Sequence, residues 1–411
     1  MNFLINPYLV FFLSFLLSYL STFLGWSDLF YKLNFVTHVI YISVCALFLV
    51  LGIVTYRSFK NNISFNNVDI STGENLVFAC ITLFFIAECL FSGYIPLFLS
   101  DYSEILEAKF GIPLLHGLFV SFLSYKSIFY YQSYLSGNGI RAIIYLFAVN
   151  LIILFLMRRG LLVFNALACM FMYIVHSLDS GEHTRYVSIK LVGASMITLV
   201  LFGLVGNLRI ADETGDYILK VGKASQKFLD SGIPKVFFFG YMYLSSPVNI
   251  FDANVFEYYQ DSSNYFVVKN ILPDFIAKRF LPAEDVRLDL VEVAGFNAGG
   301  FFIGPYLHSR ISGIVFILIY YLFISILVRK MVFRKKKRSA MALCLFLAIT
   351  TLLTFSNLLN KGGYILPLFM AMSFTDLKKR FGVNCMAPAS GGAGKQPFPD
   401  SNENTSPILD Q

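Results

Sequence analysis

The chain alternates between long apolar runs and short polar segments, a pattern typical of a protein that crosses a membrane many times. A helix needs about 20 apolar residues to span the hydrocarbon core. The apolar runs predict about ten such spans. They lie at Pro7–Gly25, Phe35–Thr55, Leu76–Tyr94, Gly111–Phe129, Ala142–Met157, Gly160–His176, Leu191–Gly206, Ile311–Val328, Ala340–Leu358 and Gly362–Phe374. The first run lacks a charged leader and an evident cleavage site, so we expect a retained span. The shorter apolar stretch Ala298–Leu307 could dip into the membrane without crossing it.

The composition supports the same class of protein. Hydrophobic residues make up 57% of the 411 residues and charged residues 14%, and the mean hydropathy is +0.67. Soluble domains contain roughly 25% charged residues. We therefore predict an all-α polytopic integral membrane protein that forms one helical bundle in a lipid bilayer.

Lys and Arg residues concentrate in alternate loops, and this sets the expected orientation. The strongest cluster has seven basic residues within Arg329–Arg338, and smaller clusters lie around Arg57, Arg141, Arg185 and Lys378. With ten spans every cluster falls on one side, so we predict that both termini are cytoplasmic. The net charge of +7 is then a topology signal, and we expect no nucleic-acid partner.

This topology divides the chain into four predicted parts. Spans one to seven occupy 1–206, and spans eight to ten occupy 311–376. Between them, 207–310 form a large loop with surface helices on the far side of the membrane. The aromatic segment Phe237–Leu244 of this loop lies on the membrane surface or lines a cleft. The tail 377–411 is rich in Gly, Pro, Ser and Asn near its end, and we expect it to be cytoplasmic and disordered.

Motifs for metal or nucleotide chemistry do not occur in the sequence. There is no CxxC or His/Cys ligand spacing, no phosphate-binding GxxxxGK[ST] loop, no DxD pair and no HExxH. We therefore expect neither a metal site nor a cofactor. An enzyme that uses ATP or a nucleotide sugar through a metal site is disfavoured.

Arginines at the far side of the membrane are the first candidate binding residues. Arg158 and Arg159 lie between two spans where the positive-inside rule disfavours them. Arg209 and Arg310 flank the long loop at the same depth. Guanidinium groups suit phosphate and pyrophosphate oxygens, so four of them in one layer predict an anion clamp. The alternative for Arg158 and Arg159 is interfacial snorkelling.

Three further residues are candidates for acid–base chemistry. Glu88 is an acid inside the third span, where buried acids are rare and usually paired. His116 lies near the far-side end of the fourth span, and His308 lies close to Arg310. A histidine can act as a base near neutral pH. The alternatives are that Glu88 is a structural partner for an arginine or a tyrosine hydroxyl, and that the histidines are hydrogen-bonded packing residues.

Several short motifs resemble those of the oligosaccharide repeat-unit polymerases, the Wzy-type O-antigen polymerases. The resemblance covers roughly residues 75–330, in matching order. The motifs run from Glu88 to Leu97, from Phe110 to Gly117, from Met157 to Gly160, from Gly206 to Arg209 and from Tyr243 to Asn249.

This resemblance implies an enzyme of the bacterial inner membrane with a periplasmic site and a fold similar to membrane-embedded (GT-C-like) glycosyltransferases and O-antigen ligases. It implies transfer of a glycan from undecaprenyl pyrophosphate to the non-reducing end of a new lipid-linked repeat unit, with no metal. Arg158, Arg159, Arg209 and Arg310 would hold the pyrophosphate. His116 or His308 would be the base, and Glu88 would orient one of these groups. A chain-length regulator is the expected protein partner.

Two alternative functions remain open at this point. The first is an O-antigen ligase, which uses the same donor with a different acceptor. The second is a flippase for the lipid-linked unit, which would line its full membrane depth with charge. Here the buried charges gather toward one face, which favours an enzyme site at that face.

Overall fold

The computed structural model describes residues 2–30, 32–71, 73–98, 110–182, 193, 217–256, 265–280, 299–335 and 338–380. All but one residue of the seventh predicted span, the loop residue Arg209 and the tail beyond residue 380 lie outside the described residues. The chain divides into a unit over Met1–Thr375 and a second unit over Asp376–Gln411. All residues of the hydrophobic core and of the candidate site belong to the first unit.

The described residues form fourteen α-helices, and β-structure is limited there to two isolated bridges. The helices are α1 Pro7–Ser21, α2 Phe35–Asn62, α3 Glu74–Ser92, α4 Leu115–Ser133, α5 Gly139–Phe155, α6 Arg159–Asp179, α7 Tyr217–Val221, α8 Gln226–Leu229, α9 Val236–Ala253, α10 Phe266–Asn270, α11 Asp274–Phe280, α12 Ile303–Phe333, α13 Ser339–Leu352 and α14 Gly362–Arg380. A π-helical turn joins α4 to α5.

Six helical segments of the described residues are long and apolar enough to cross a membrane, and two shorter apolar helices accompany them. Large apolar side chains point outward along them: Val54 is 74% exposed, Leu90 78% and Phe147 70%. Water-soluble monomers rarely expose so much apolar surface, whereas lipid tails solvate it at no cost. The prediction of an all-α multi-pass membrane protein is confirmed at this level.

Helix α1 packs against α2, α9 and α13. Pro7 occupies its first position, and the Asn6 side chain caps it by accepting a hydrogen bond from the Tyr8 backbone N–H at 3.0 Å. The Asn6 amide also donates to the Gly52 carbonyl of α2 at 3.0 Å. Gly52 permits this approach, because a Cβ there would lie 2.3 Å from Leu9 Cδ2.

Within the predicted long loop, α9 is largely buried. Val248, Ile250 and Phe251 belong to the main core of the bundle. The Asp252 carboxylate near the end of α9 accepts hydrogen bonds at 2.8 and 2.9 Å from the backbone and side-chain nitrogens of Asn34, which precedes α2. The loop therefore contributes a core helix as well as surface elements.

The apolar stretch before α12 also enters the core, and α12 begins earlier than the predicted span. Phe301 and Phe302 are fully buried and contact Phe15 of α1 with ring centroids 6.5 and 5.2 Å apart. Helix α12 then breaks at Ser309 and Arg310, where the Arg310 φ is 53°. The segment from Ile303 to His308 and the membrane-length segment after Arg310 thus form one kinked element.

We expect Phe301→Ala to destabilise the bundle by about 3 kcal/mol, the lower end of the cost of truncating a buried Phe. The replacement removes ring contacts with Phe11 and Phe15. Thermal unfolding of the full chain in detergent measures the effect. Phe256→Ala is the matched control, because Phe256 is 70% exposed. Equal midpoints for the two variants would show that the stretch does not hold the core together.

Candidate functional site

Polar side chains from distant parts of the chain meet at one end of the bundle. Five parts of the chain contribute these side chains: the end of α3, the start of α4, the turn between α5 and α6, the start of α14 and the loop helix α11. We call this the Arg158 end. Gly300, shortly before α12, pairs with Ser356 and lies against the Thr354 carbonyl, shortly before α14. The basic segment Arg329–Arg338 begins near the other end of α12.

Glu88 and His116 form a close pair at this end. Glu88 is 0% exposed, and its Oε2 and Oε1 atoms lie 3.0 and 3.1 Å from Nδ1 of His116. An ionised carboxylate in an apolar interior is costly unless it is paired and hydrogen-bonded. His116 supplies this pairing, while its own side chain stays 13% exposed. The pair therefore joins a fully buried carboxylate to an imidazole that is partly exposed.

Gly111 makes the Glu88–His116 pair possible. Its φ of 84° is in the left-handed region, and its N–H donates a 2.8 Å hydrogen bond to the Ser92 hydroxyl at the end of α3. A Cβ at Gly111 would lie 2.7 Å from His116 Nδ1 and 2.8 Å from Glu88 Oε1. Phe110 then packs the edge of its ring against the imidazole, with centroids 5.6 Å apart. The residues of the Phe110–Gly117 motif thus pack closely against the Glu88–His116 pair.

Arg158 completes a chain of three groups. Its Nη2 atom lies 3.4 Å from Nε2 of His116, a long contact. A guanidinium only donates, so Nε2 must be the acceptor and the Nδ1 proton must point to Glu88. Both contacts therefore require the same imidazole tautomer. Glu88 binds the Nδ1 proton, and the lone pair of Nε2 faces Arg158.

The backbone beside both functional side chains is strained. Leu114 has a φ of 70° and Met157 a φ of 52°, and they precede His116 and Arg158 by two residues and one residue. Non-glycine residues rarely adopt this region, and such strain collects at functional sites. At Met157 it produces a tight turn from α5 to α6, in which the Arg158 N–H donates to Ile153 and the Arg158 carbonyl accepts from Leu161. This turn fixes the backbone from which Arg158 reaches His116.

Three residues that the sequence did not single out lie at the same end: Asp274, Lys361 and Tyr364. Asp274 Oδ1 accepts hydrogen bonds from the Gly362 N–H at 3.0 Å and the Phe275 N–H at 2.9 Å. Tyr364 places its hydroxyl against Gly160 of α6, where a Cβ would lie 2.7 Å away. Burial lowers the pKa of Lys361, and the Asp274 carboxylate opposes that shift.

The loop helices α10 and α11 are fastened to this end of the bundle. The Asn357 amide donates to the Asn270 carbonyl at 2.8 Å, and the Asn360 amide donates to the Lys269 carbonyl at 2.8 Å. The Phe275 ring packs against the Cα faces of Gly117 and Gly362. The loop therefore covers part of the Arg158 end with defined contacts.

The other predicted site residues have different surroundings. His308 is buried and donates from Nδ1 to the Gly304 carbonyl at 2.7 Å. Arg310 donates to the Val255 carbonyl at 3.0 Å, and its guanidinium lies 5.4 Å from the Tyr306 ring centroid. These contacts are not with Glu88, His116 or Arg158. Arg159 is exposed beside Arg158, and Arg209 lies outside the described residues.

The arrangement supports two kinds of chemistry. Nδ1 of His116 is paired with the buried Glu88 carboxylate, and Nε2 on the opposite side of the ring can accept a proton. This is the geometry of a general base that is held in place by a carboxylate. Arg158, Arg159 and Lys361 add positive charge that suits an anionic group. Among the described residues, no cluster of three or more His, Cys, Asp or Glu side chains could hold a metal ion.

Comparison of the chain with protein-family models, curated proteins and solved structures finds no match. The inference of function therefore depends on the sequence motifs and on the geometry of the Arg158 end.

We expect Gly111→Ala to destabilise the protein more than Gly93→Ala. Both glycines have a left-handed φ, so either alanine incurs about 1–2 kcal/mol of backbone strain. Only the Gly111 methyl also collides with His116 and Glu88, because nothing lies within 4 Å of a Cβ at Gly93. Thermal unfolding midpoints of the two purified variants give the comparison. Equal losses would show that the pair tolerates a wider spacing.

Proposed function

We propose that this protein is an oligosaccharide repeat-unit polymerase. It transfers a growing glycan from undecaprenyl pyrophosphate to the non-reducing end of a new undecaprenyl-pyrophosphate-linked unit. The observation that carries the proposal is the chain of contacts from Glu88 through His116 to Arg158. These residues come from three of the motifs that resemble the polymerases, and they meet although up to 70 positions separate them in sequence.

The proposed reaction needs a base, a site for the leaving group and no outside energy source. His116 Nε2 removes the proton of the acceptor hydroxyl, and that oxygen forms a bond to the anomeric carbon of the donor. The bond between the anomeric carbon and the phosphate oxygen breaks, and undecaprenyl pyrophosphate leaves with the electron pair. Glu88 stabilises the imidazolium that results, and Arg158 stabilises the negative charge of the leaving group.

The contact between Arg158 and His116 gives this reaction an order of events. The guanidinium faces the nitrogen that must accept the proton. A bound pyrophosphate competes for the guanidinium through charge-assisted hydrogen bonds, which are stronger than a long contact to a neutral imidazole. Donor binding would therefore draw Arg158 away and uncover the base for the acceptor hydroxyl.

We also propose the membrane arrangement that this reaction requires. The chain crosses the bacterial inner membrane about ten times, with both termini in the cytoplasm. The loop over 207–310 is periplasmic, and the fold is related to membrane-embedded glycosyltransferases. The supporting observation is that the loop helices α10 and α11 and the site residues share the Arg158 end. The basic segment Arg329–Arg338, a cytoplasmic marker, follows from the other end of the 31-residue α12.

Deletion of the gene tests the proposal through the lipopolysaccharide pattern of the cells. We expect the ladder of long chains to disappear and a core that carries a single repeat unit to accumulate. Bare core would instead indicate ligation or export, and an unchanged ladder would remove O-antigen assembly altogether.

Complementation with single variants assigns the function to the site. In cells that lack the gene, we expect the Arg158→Ala variant to make polymer at a rate at least 100-fold below that of the wild-type protein. This is the usual cost of losing a group that stabilises charge in the transition state. Arg141→Ala is the control, because Arg141 is an exposed arginine at the opposite end of α5. Normal ladders from both variants, at equal protein levels, would contradict the proposed role of Arg158.

A further inference from the structure

Tyr364 lies at the Arg158 end and takes no part in the proposed proton transfer. It is the third residue of α14, and its side chain is partly exposed. Its hydroxyl oxygen approaches α6 at Gly160, the second residue of that helix, and a Cβ at Gly160 would lie only 2.7 Å from it. Because Gly160 follows Arg158 and Arg159 directly, the hydroxyl reaches the turn that carries both arginines.

The Tyr364 hydroxyl is available for a ligand. It makes no hydrogen bond with any of the residues that the structure describes, and its oxygen is not sealed inside the protein. Buried tyrosine hydroxyls normally find a hydrogen-bond partner. This hydroxyl instead remains open at a point where the proposed donor must place its pyrophosphate.

The charged groups near Tyr364 favour a hydrogen bond in which its hydroxyl is the donor and an anion is the acceptor. Arg158 lies two residues before Gly160, the position that the hydroxyl approaches. Asp274 already holds the start of α14, since its Oδ1 atom accepts from the Gly362 N–H at 3.0 Å. A cation beside the phenolic oxygen attracts the oxygen lone pairs, which leaves the O–H to donate to an anion that the same cation binds.

We propose that Tyr364 contacts the substrate by donating a hydrogen bond to a phosphate oxygen of the lipid-linked pyrophosphate held at Arg158. Gly160 is a glycine because any side chain there would displace this hydroxyl. The identity of the anion rests on the proposed function. Tyr364 itself adds a neutral donor to a site that otherwise depends on positive charge.

Direct binding of undecaprenyl pyrophosphate to the full chain in lipid nanodiscs tests the role of Tyr364. We expect Tyr364→Phe to raise the Kd about tenfold or more, which is the usual effect of losing a hydrogen bond to a charged group. Tyr320→Phe should bind like the wild type, because Tyr320 is a partly buried tyrosine in the middle of α12, far from the turn that carries Arg158. Equal Kd values for Tyr364→Phe and the wild type would overturn the proposal.

A second pair of variants separates a lost contact from a general disturbance. Gly160→Ala should also weaken binding, since its methyl group pushes the hydroxyl away. In the Tyr364→Phe background the oxygen is gone, so Gly160→Ala should cost nothing further. If the two substitutions weaken binding independently, so that their losses of binding free energy add, the proposed contact is contradicted. Wild-type protein that does not bind undecaprenyl pyrophosphate would refute the proposed function, whereas binding that is indifferent to Tyr364 refutes only this inference.

Discussion

A fully buried carboxylate is the constraint on which the functional end of this protein depends. Glu88 lies inside an apolar bundle, where an unpaired charge would cost several kcal/mol. The imidazole of His116 satisfies it at 3.0 Å, and the chain must then bend closely around the pair. This requirement explains why position 111 is a glycine and why Ser92 anchors its N–H. It also fixes the imidazole tautomer, so that the second ring nitrogen faces Arg158.

A second buried charge pair shows how the site differs from a purely structural one. Lys126 Nζ lies 2.7 Å from Glu74 Oε2, and the Tyr130 hydroxyl donates to the same oxygen at 3.1 Å. Lys126 also lies 4.7 Å from the Phe129 ring centroid, so it has partners on several sides. The charges of that cluster are paired with each other inside the protein. At the Arg158 end, by contrast, the His116 side chain is 13% exposed and the Tyr364 hydroxyl makes no hydrogen bond within the described residues, which favours contact with a substrate.

The sequence predicted the helical class well because apolar periodicity and span length are local properties. The start of α2 at Phe35 was predicted to the residue. The cost of a buried acid predicted that Glu88 would have a partner, but it did not single out His116 among an arginine, a tyrosine hydroxyl and a base. The start of α12 and the burial of α9 were missed, because aromatic segments such as Phe237–Leu244 carry the same pattern on a surface and in a core.

The remaining site residues depend on contacts between distant parts of the chain. Asp274 and Gly362 are 88 positions apart, and Gly160 and Tyr364 are separated by even more of the sequence. Nothing in the local pattern indicates that a glycine on one helix admits a hydroxyl from another. The layer of four arginines was inferred from depth alone, and depth does not reveal that Arg310 turns toward Val255 and Tyr306.

The most direct test of the account is a double-mutant cycle on Glu88 and His116 in a reconstituted polymerisation assay. The purified chain is supplied with the undecaprenyl-pyrophosphate-linked repeat unit, and the rate of chain growth is measured for Glu88→Gln, His116→Asn and the double variant. If the two residues act as one unit, the double variant is no slower than the slower single variant. Wild-type rates in both single variants, or losses that multiply in the double variant, would contradict the account.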